Sequence, residues 1–194
     1  MRVNMKKVYL YDLDGTISTL NSTFDFVYPY FLFRKKYVRY YSCKFLQKVM
    51  ENIPGVPYRL KRKAIILMLF YQVDVSSLKS FFEVEYKEAF LQSLTGLGTQ
   101  VAKQNNEHNI LLTGCTEIPA KRIGHLLNFK NIISTEFKTV NGRIKGISQD
   151  TYGNYKLQFL DKGPDDYFVY FTDDLKTERK LTSIMDKIVE VEPI

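Results

Sequence analysis

Asp12 and Asp14 stand two residues apart at the end of an apolar tract, in "YLYDLDGT" (Tyr9 to Thr16). Side chains two apart on a strand point the same way, so the two acids are held side by side. Such neighbours repel each other and lose water on burial. A fold tolerates them when a cation sits between them or when one keeps its proton. A strand running into an Asp-Gly turn is the plainer reading of the same residues. The chain repeats the chemistry elsewhere. "DYFVYFTDD" ends in the acidic pair Asp173-Asp174, "NILLTG" ends in Thr113-Gly114, and Lys156 lies in "GNYKLQFL". Carboxylates from two strand ends form a hard oxygen site suited to Mg²⁺. The Thr113 hydroxyl, beside a Gly114 whose backbone can approach closely, suits phosphate oxygens. Lys156 adds a cation.

These groups meet only if the elements carrying them converge. "KVYLYDL" (Lys7 to Leu13), "NILLT" (Asn109 to Thr113) and "DYFVYFTDD" read as strands buried on both faces. A helix of roughly ten residues leads through Asn105-Asn106 into the second, and another helix starts near "EIPAKRIGHLL". "FKTVNGRIKGI" predicts a hairpin, with Asn141-Gly142 in a type I′ turn. "GNYKLQFL" reads as a helix start, "LKTERKLTSIM" as a helix and "KIVEVEP" as a last strand. Alternation of this kind argues for a parallel sheet with helices on both faces. Ligands of such sheets bind outside the carboxyl ends of the strands, where Asp12, Asp14, Thr113, Asp173 and Asp174 are all expected.

Between about Asn21 and Leu94 the pattern changes. Aromatic, leucine and basic residues recur at helical spacing, broken once by Pro54, Gly55 and Pro57, and Ser76-Ser77 marks a helix start. Three or four helices are expected. The predicted division is an α/β core from 1–20 and 95–194, with a helical cap from 21–94.

The 194 residues, 45% of them hydrophobic and 14% aromatic, suffice for a folded core. Two cysteines are too few for a disulfide framework, which predicts a reducing compartment. The basic start "MRVNMKK" is followed by a strand-like segment rather than a signal-peptide core. The longest apolar run, Ala64 to Tyr71, is far short of the roughly 20 residues that span a bilayer. A cytoplasmic protein is expected. Its net charge of +7 is concentrated: Arg34 to Lys63 holds ten basic residues and one acid, Glu51. Such a segment attracts anionic partners.

In order and spacing, "DLDGT", "ILLT", "GNYK" and "YFTDD" resemble the four motifs of the haloacid dehalogenase superfamily. These are Asp-x-Asp-x-Thr, a strand ending in Ser or Thr, a Lys opening a helix, and an acidic pair after a strand. "NGRIKGISQDTYGNYKLQFL" is similar to the phosphoserine-phosphatase-like subgroup, in which a Gly-rich hairpin precedes Gly-x-x-Lys. The resemblance implies a Rossmann-like parallel sheet with a helical cap between the first and second motifs. It implies a Mg²⁺-dependent phosphomonoesterase in which Asp12 is the nucleophile and forms an aspartyl-phosphate. Asp14 would be the general acid and then the general base. Mg²⁺ would be held by Asp12, the Asp14 backbone carbonyl and Asp173. Thr113, with the N–H groups of Leu13 and Gly114, would bind the phosphoryl, and Lys156 would offset its charge.

One departure stands out. Related phosphatases often carry a further Asp four residues after the first acid of the fourth motif, where this chain has Thr177 followed by Glu178. Asp174 and Glu178 are the candidates for the outer metal shell. "ISTLNSTFDF" also lacks the Glu used by phosphoserine-specific relatives for the amino group, and Asp25 is its candidate substitute. The expected partner is a phosphorylated small molecule. The alternatives are a phospholipid head group, with peripheral contact to an anionic membrane as in phosphatidylglycerophosphate phosphatases, or a silent phosphate-binding protein. A receiver domain is disfavoured, because no strand-end Asp lies between Asp14 and Thr113. Nucleic-acid binding has no motif beyond charge.

Overall fold

The computed structural model describes residues 5–192. The first residues of the basic N-terminal tract, the ends of the predicted core at 1 and 194, and Pro193 of the predicted last strand lie outside them.

Among the described residues, six strands form one sheet in the order β4-β3-β2-β1-β5-β6. They are β1 (Lys6–Tyr11), β2 (Ile110–Thr116), β3 (Asn131–Val140), β4 (Arg143–Gln149), β5 (Asp166–Thr172) and β6 (Lys187–Glu190). β1 is central, parallel to β2 on one side and to β5 on the other. β3 and β6 extend the parallel set, and β4 returns antiparallel to β3. The turn joining β3 to β4 has positive φ at both Asn141 (50°) and Gly142 (73°), as the predicted hairpin turn requires. Because β1, β2 and β5 are parallel neighbours, their carboxyl ends open at the same edge.

Between β1 and β2 the chain runs through helices α1 (Phe24–Phe33), α2 (Tyr37–Glu51), α3 (Tyr58–Phe70), α4 (Val75–Phe81) and α5 (Lys87–Gln92), with a π-helical turn at Phe82–Tyr86 between the last two. Helix α6 (Gly96–Ala102) precedes β2, and α7 (Glu117–Leu126) follows it. The Pro54–Pro57 breaker separates α2 from α3, as expected. α4 starts one residue earlier than the serines suggested: the Asp74 carboxylate caps it by accepting the Ser77 N–H at 2.8 Å. α6 is shorter than predicted and is capped by Thr95, whose hydroxyl accepts the Gly98 N–H.

The helical insertion is stitched to the sheet. One apolar cluster runs from Phe26, Phe31, Leu69 and Phe82 in the helices to Leu111, Ile123 and Phe137 around the sheet. The linker from α3 to α4 also pairs with β4, Gln72 N–H donating to the Ile144 carbonyl and Ile144 N–H to that of Val73.

Two expected helices differ. Gly153–Phe159 is 3₁₀, and of Leu175–Met185 only Leu181–Ser183 is helical, again 3₁₀. The cause of the second is competition for the backbone. The Asp174 carboxylate accepts the Thr177 N–H, and Asn154 Oδ1 accepts the Lys180 N–H at 2.7 Å. No helix among the described residues is long and apolar enough to cross a membrane.

Candidate active site

A cavity of about 350 Å³ opens at the carboxyl ends of β1, β2 and β5. It brings together Asp12, Asp14, Thr113, Gly114, Lys156, Asp173, Asp174 and Glu178. The floor is built on β1. Leu13 N–H donates to Asp12 Oδ1 at 2.8 Å, and Lys156 Nζ donates to Asp12 Oδ2 at 2.8 Å. The Leu13 N–H expected at a phosphoryl group is therefore held by Asp12 in this state.

Lys156 is 1% exposed. Besides Asp12, its ammonium meets the Tyr170 hydroxyl at 3.0 Å and Glu178 Oε1 at 2.5 Å. Burial works against this charge, and the surrounding Asp12, Tyr170 and Glu178 outweigh it, holding Lys156 well above its ordinary range. Glu178 is buried, and its other oxygen accepts from Tyr170 at 2.8 Å and from Thr172 at 2.9 Å. Burial raises its carboxyl and Lys156 opposes the rise. Oε1 of Glu178 thus anchors Lys156, while Oε2 is held by the Tyr170 and Thr172 hydroxyls. Asp174 accepts the Thr177 backbone N–H and is also bonded to the Thr177 hydroxyl, so it closes the local turn.

Asp14 keeps a partly exposed edge toward the cavity, yet close protein surroundings push its carboxyl up to about 7. Bonding from Ser22 opposes that rise, including its N–H at 2.8 Å, and the charge of Asp12 adds to it. Asp173 is raised by burial first and by Asp12 second, while the Thr16 hydroxyl at 3.0 Å lowers it. Gly15 lets Asp173 come in: at φ 77°, a Cβ there would fall 2.0 Å from Asp173 Oδ2.

Thr113 is buried, in the stretch where the β2–β3 pairing shifts register. Its hydroxyl oxygen accepts the Cys115 N–H at 3.0 Å, which leaves the hydroxyl hydrogen to be donated. The Gly114 carbonyl accepts from Thr135 at 2.9 Å and from the Arg62 guanidinium.

Sequence reasoning missed Arg62, which α3 delivers to the cavity wall. It is buried, lies over the Tyr152 ring (4.7 Å to the centroid) and pairs with Asp150 at 3.8 Å. Beside it, Arg59 bonds Asp150 at 2.8 Å. The signal was present, since Arg62 shares the helical face of the buried Ile65, Ile66 and Leu69. Asp25 does not reach the cavity. It is exposed and accepts the Asn21 N–H at the start of α1.

The donor set fits a hard divalent cation. Asp12, Asp14 and Asp173 line the cavity, and the charge of Asp12 raises both of the others. The buried ammonium of Lys156 already serves Asp12, Tyr170 and Glu178. No three Asp, Glu, His or Cys side chains among the described residues form a cage by themselves. Mg²⁺ does not need one, because it takes one or two carboxylates and keeps waters or substrate oxygens.

The family model of haloacid dehalogenase-like hydrolases matches residues 9–175, and the chain belongs to that family. Solved structures share its fold at low identity. A Bordetella pertussis Tohama I protein of unknown function has a TM-score of 0.71 at 16% identity, over 96% of this chain and 90% of that one. A phosphoserine phosphohydrolase-like protein from Francisella tularensis has 0.56 at 14%, over 95% of each chain. The phosphoserine phosphatase from T. onnurineus has 0.55 at 14%, over 98% of this chain and 86% of that one. No curated protein sequence matches the chain.

Proposed function

We propose that the chain is a Mg²⁺-dependent phosphomonoesterase that works through a phosphorylated Asp12. The observation that carries this reading is the floor itself. One carboxylate, Asp12, is oriented by Lys156 and the Leu13 N–H. A second, Asp14, is poised to hold a proton near pH 7. The two environments separate a nucleophile from an acid.

In the proposed reaction an Asp12 oxygen attacks phosphorus. The bond to the leaving oxygen breaks, and Asp14 gives that oxygen its proton. The Asp14 carboxylate then takes a proton from water. That water attacks phosphorus, the Asp12–phosphorus bond breaks, and phosphate leaves. Thr113 donates its hydroxyl hydrogen to a phosphoryl oxygen, the Gly114 N–H assists, and Lys156 offsets negative charge. Asp12, Asp173 and the Asp14 carbonyl are the residues that would hold Mg²⁺. When bound, it would supply positive charge to offset that of the phosphoryl oxygens. Glu178 and Asp174 are read as anchors of Lys156 and of the Thr177 turn rather than as metal shell.

Residues 21–94 are proposed to act as the cap, supplying Asn21, Phe24, Tyr58 and Arg62 to the cavity wall. No acid lies on that wall, and Asp25 is turned away, so the preferred substrate is a phosphorylated small molecule without an ammonium group beside the ester. The test is phosphate release from an aryl phosphate, sugar phosphates, nucleotides and phosphoserine, with Mg²⁺ or with chelator, for wild type and Asp12→Asn. Release that needs both Mg²⁺ and Asp12, with phosphoserine among the poorest substrates, is the expected result. Undiminished release from Asp12→Asn sinks the proposal.

A further inference from the structure

Helix α2 presents its apolar residues to water. Of its 15 residues only Cys43 is buried. Val38, Tyr41, Phe45 and Val49 recur at spacings of three and four residues, so they share one face. Val38 is 84%, Tyr41 66% and Phe45 68% exposed. Leu46 and Val49 are exposed beside them. The opposite face, with Cys43 and Met50, packs onto the apolar cluster. The helix is therefore apolar both inward and outward, along a length of about 22 Å.

Charge selects the occupant of the outer face. Among the described residues, none of Arg34, Lys35, Lys44 and Lys48 is within ion-pair distance of a carboxylate. With these four cations and Glu51 the one acid of the helix, two copies of this face repel each other. An anionic surface is attracted by the same charge. Aromatic and aliphatic side chains flanked by lysines suit the bilayer interface, where the rings enter the headgroup region and the ammonium groups stay at its rim.

We propose that the outward face of α2 docks on an anionic lipid bilayer, with Val38, Tyr41 and Phe45 entering the headgroup layer and Lys44 and Lys48 meeting its negative charge. Exposed Ile53, Val56 and Tyr58 continue the apolar surface along the chain to the cavity, which Tyr58 lines. Docking stands independently of the proposed phosphatase reaction, because none of the stripe residues touches the floor of the site.

The test is flotation of the full chain with phosphatidylcholine vesicles and with phosphatidylcholine–phosphatidylglycerol vesicles, at low and high salt. Binding is expected to the second set only and to weaken with salt. Tyr41→Ser with Phe45→Ser should reduce it at least about tenfold. Lys44→Gln with Lys48→Gln should weaken it by about fivefold per lysine and flatten the salt dependence. Circular dichroism and hydrolysis of a soluble ester should be unchanged in both variants. Absence of flotation, equal flotation on neutral vesicles, or binding retained by the double serine variant overturns the proposal. So does a wild-type dimer in sedimentation that the serine variant disperses, which would assign the face to a second copy.

Discussion

The floor of the cavity and the outer face of α2 break the usual partition of residues in opposite ways. The floor buries Lys156, Asp12 and Glu178, and α2 leaves Val38, Tyr41 and Phe45 in water. The floor tolerates its charges because each is matched: Lys156 has three partners within 3.0 Å, and both Glu178 oxygens are engaged. Among the described residues, nothing covers the face of α2. A buried charge that is fully partnered is a built device, while an exposed apolar stripe without a partner points outside the molecule.

The largest effect should follow from removing the cation that holds the floor. Lys156→Met leaves Asp12 and Glu178 buried without their partner. Phosphate release should fall by about 10²–10³-fold, and denaturant unfolding should show a loss of about 3–5 kcal/mol. Phe26, fully buried against Phe81, Phe82 and Tyr86, should give a similar loss on Phe26→Ala, about 3–5 kcal/mol by the same measurement. Gly15→Ala pushes Asp173 aside, and steady-state kinetics should show a loss of up to about 10²-fold with the fold retained.

A smaller effect comes from Asp14 in metal-free buffer. Its folded carboxyl sits at about 7, above the ordinary value of 3.8. The folded state therefore binds the proton more tightly. The stability this confers is complete below about pH 4 and is lost as pH rises to about 7. Asp14→Asn removes the late ionisation. It should be on the order of 2–3 kcal/mol more stable than wild type at pH 8, with the difference closing toward pH 4, as thermal unfolding across pH would show. Smallest of all, Phe45→Ala should change stability by no more than about 0.5 kcal/mol in denaturant titration, because its side chain is already mostly in water. A large loss there would erase the contrast between the two regions.

The strands, the hairpin and the acidic pairs were legible because each has a local cause: continuous apolar runs, an Asn-Gly turn, and acids at strand ends. The convergence of Asp12, Asp14, Thr113 and Asp173 followed from parallel topology alone. Arg62 was hidden in the run "RLKRK", where charge masks the 62-65-66-69 face on which it lies. Glu178 was legible as a nearby acid but not as the anchor of Lys156, since that contact depends on the Asp174 turn replacing the expected helix. The exposure of Val38, Tyr41 and Phe45 was invisible, because helical spacing does not say which of two apolar faces turns inward.

The bond between Lys156 and Asp12 joins residues 144 positions apart. At ribosomal speeds of about 5–20 residues per second, Asp12 is made on the order of ten seconds before its partner. Throughout that interval the nascent chain carries the acid without the lysine, and without Tyr170 and Glu178 to seat it. The floor is finished only after the strand β5 and the turn beyond it have been synthesised. The chemistry proposed for Asp12 would thereby be tied to completion of the fold, and an interrupted chain ending before Lys156 carries Asp12 and Asp14 but lacks the lysine that holds Asp12.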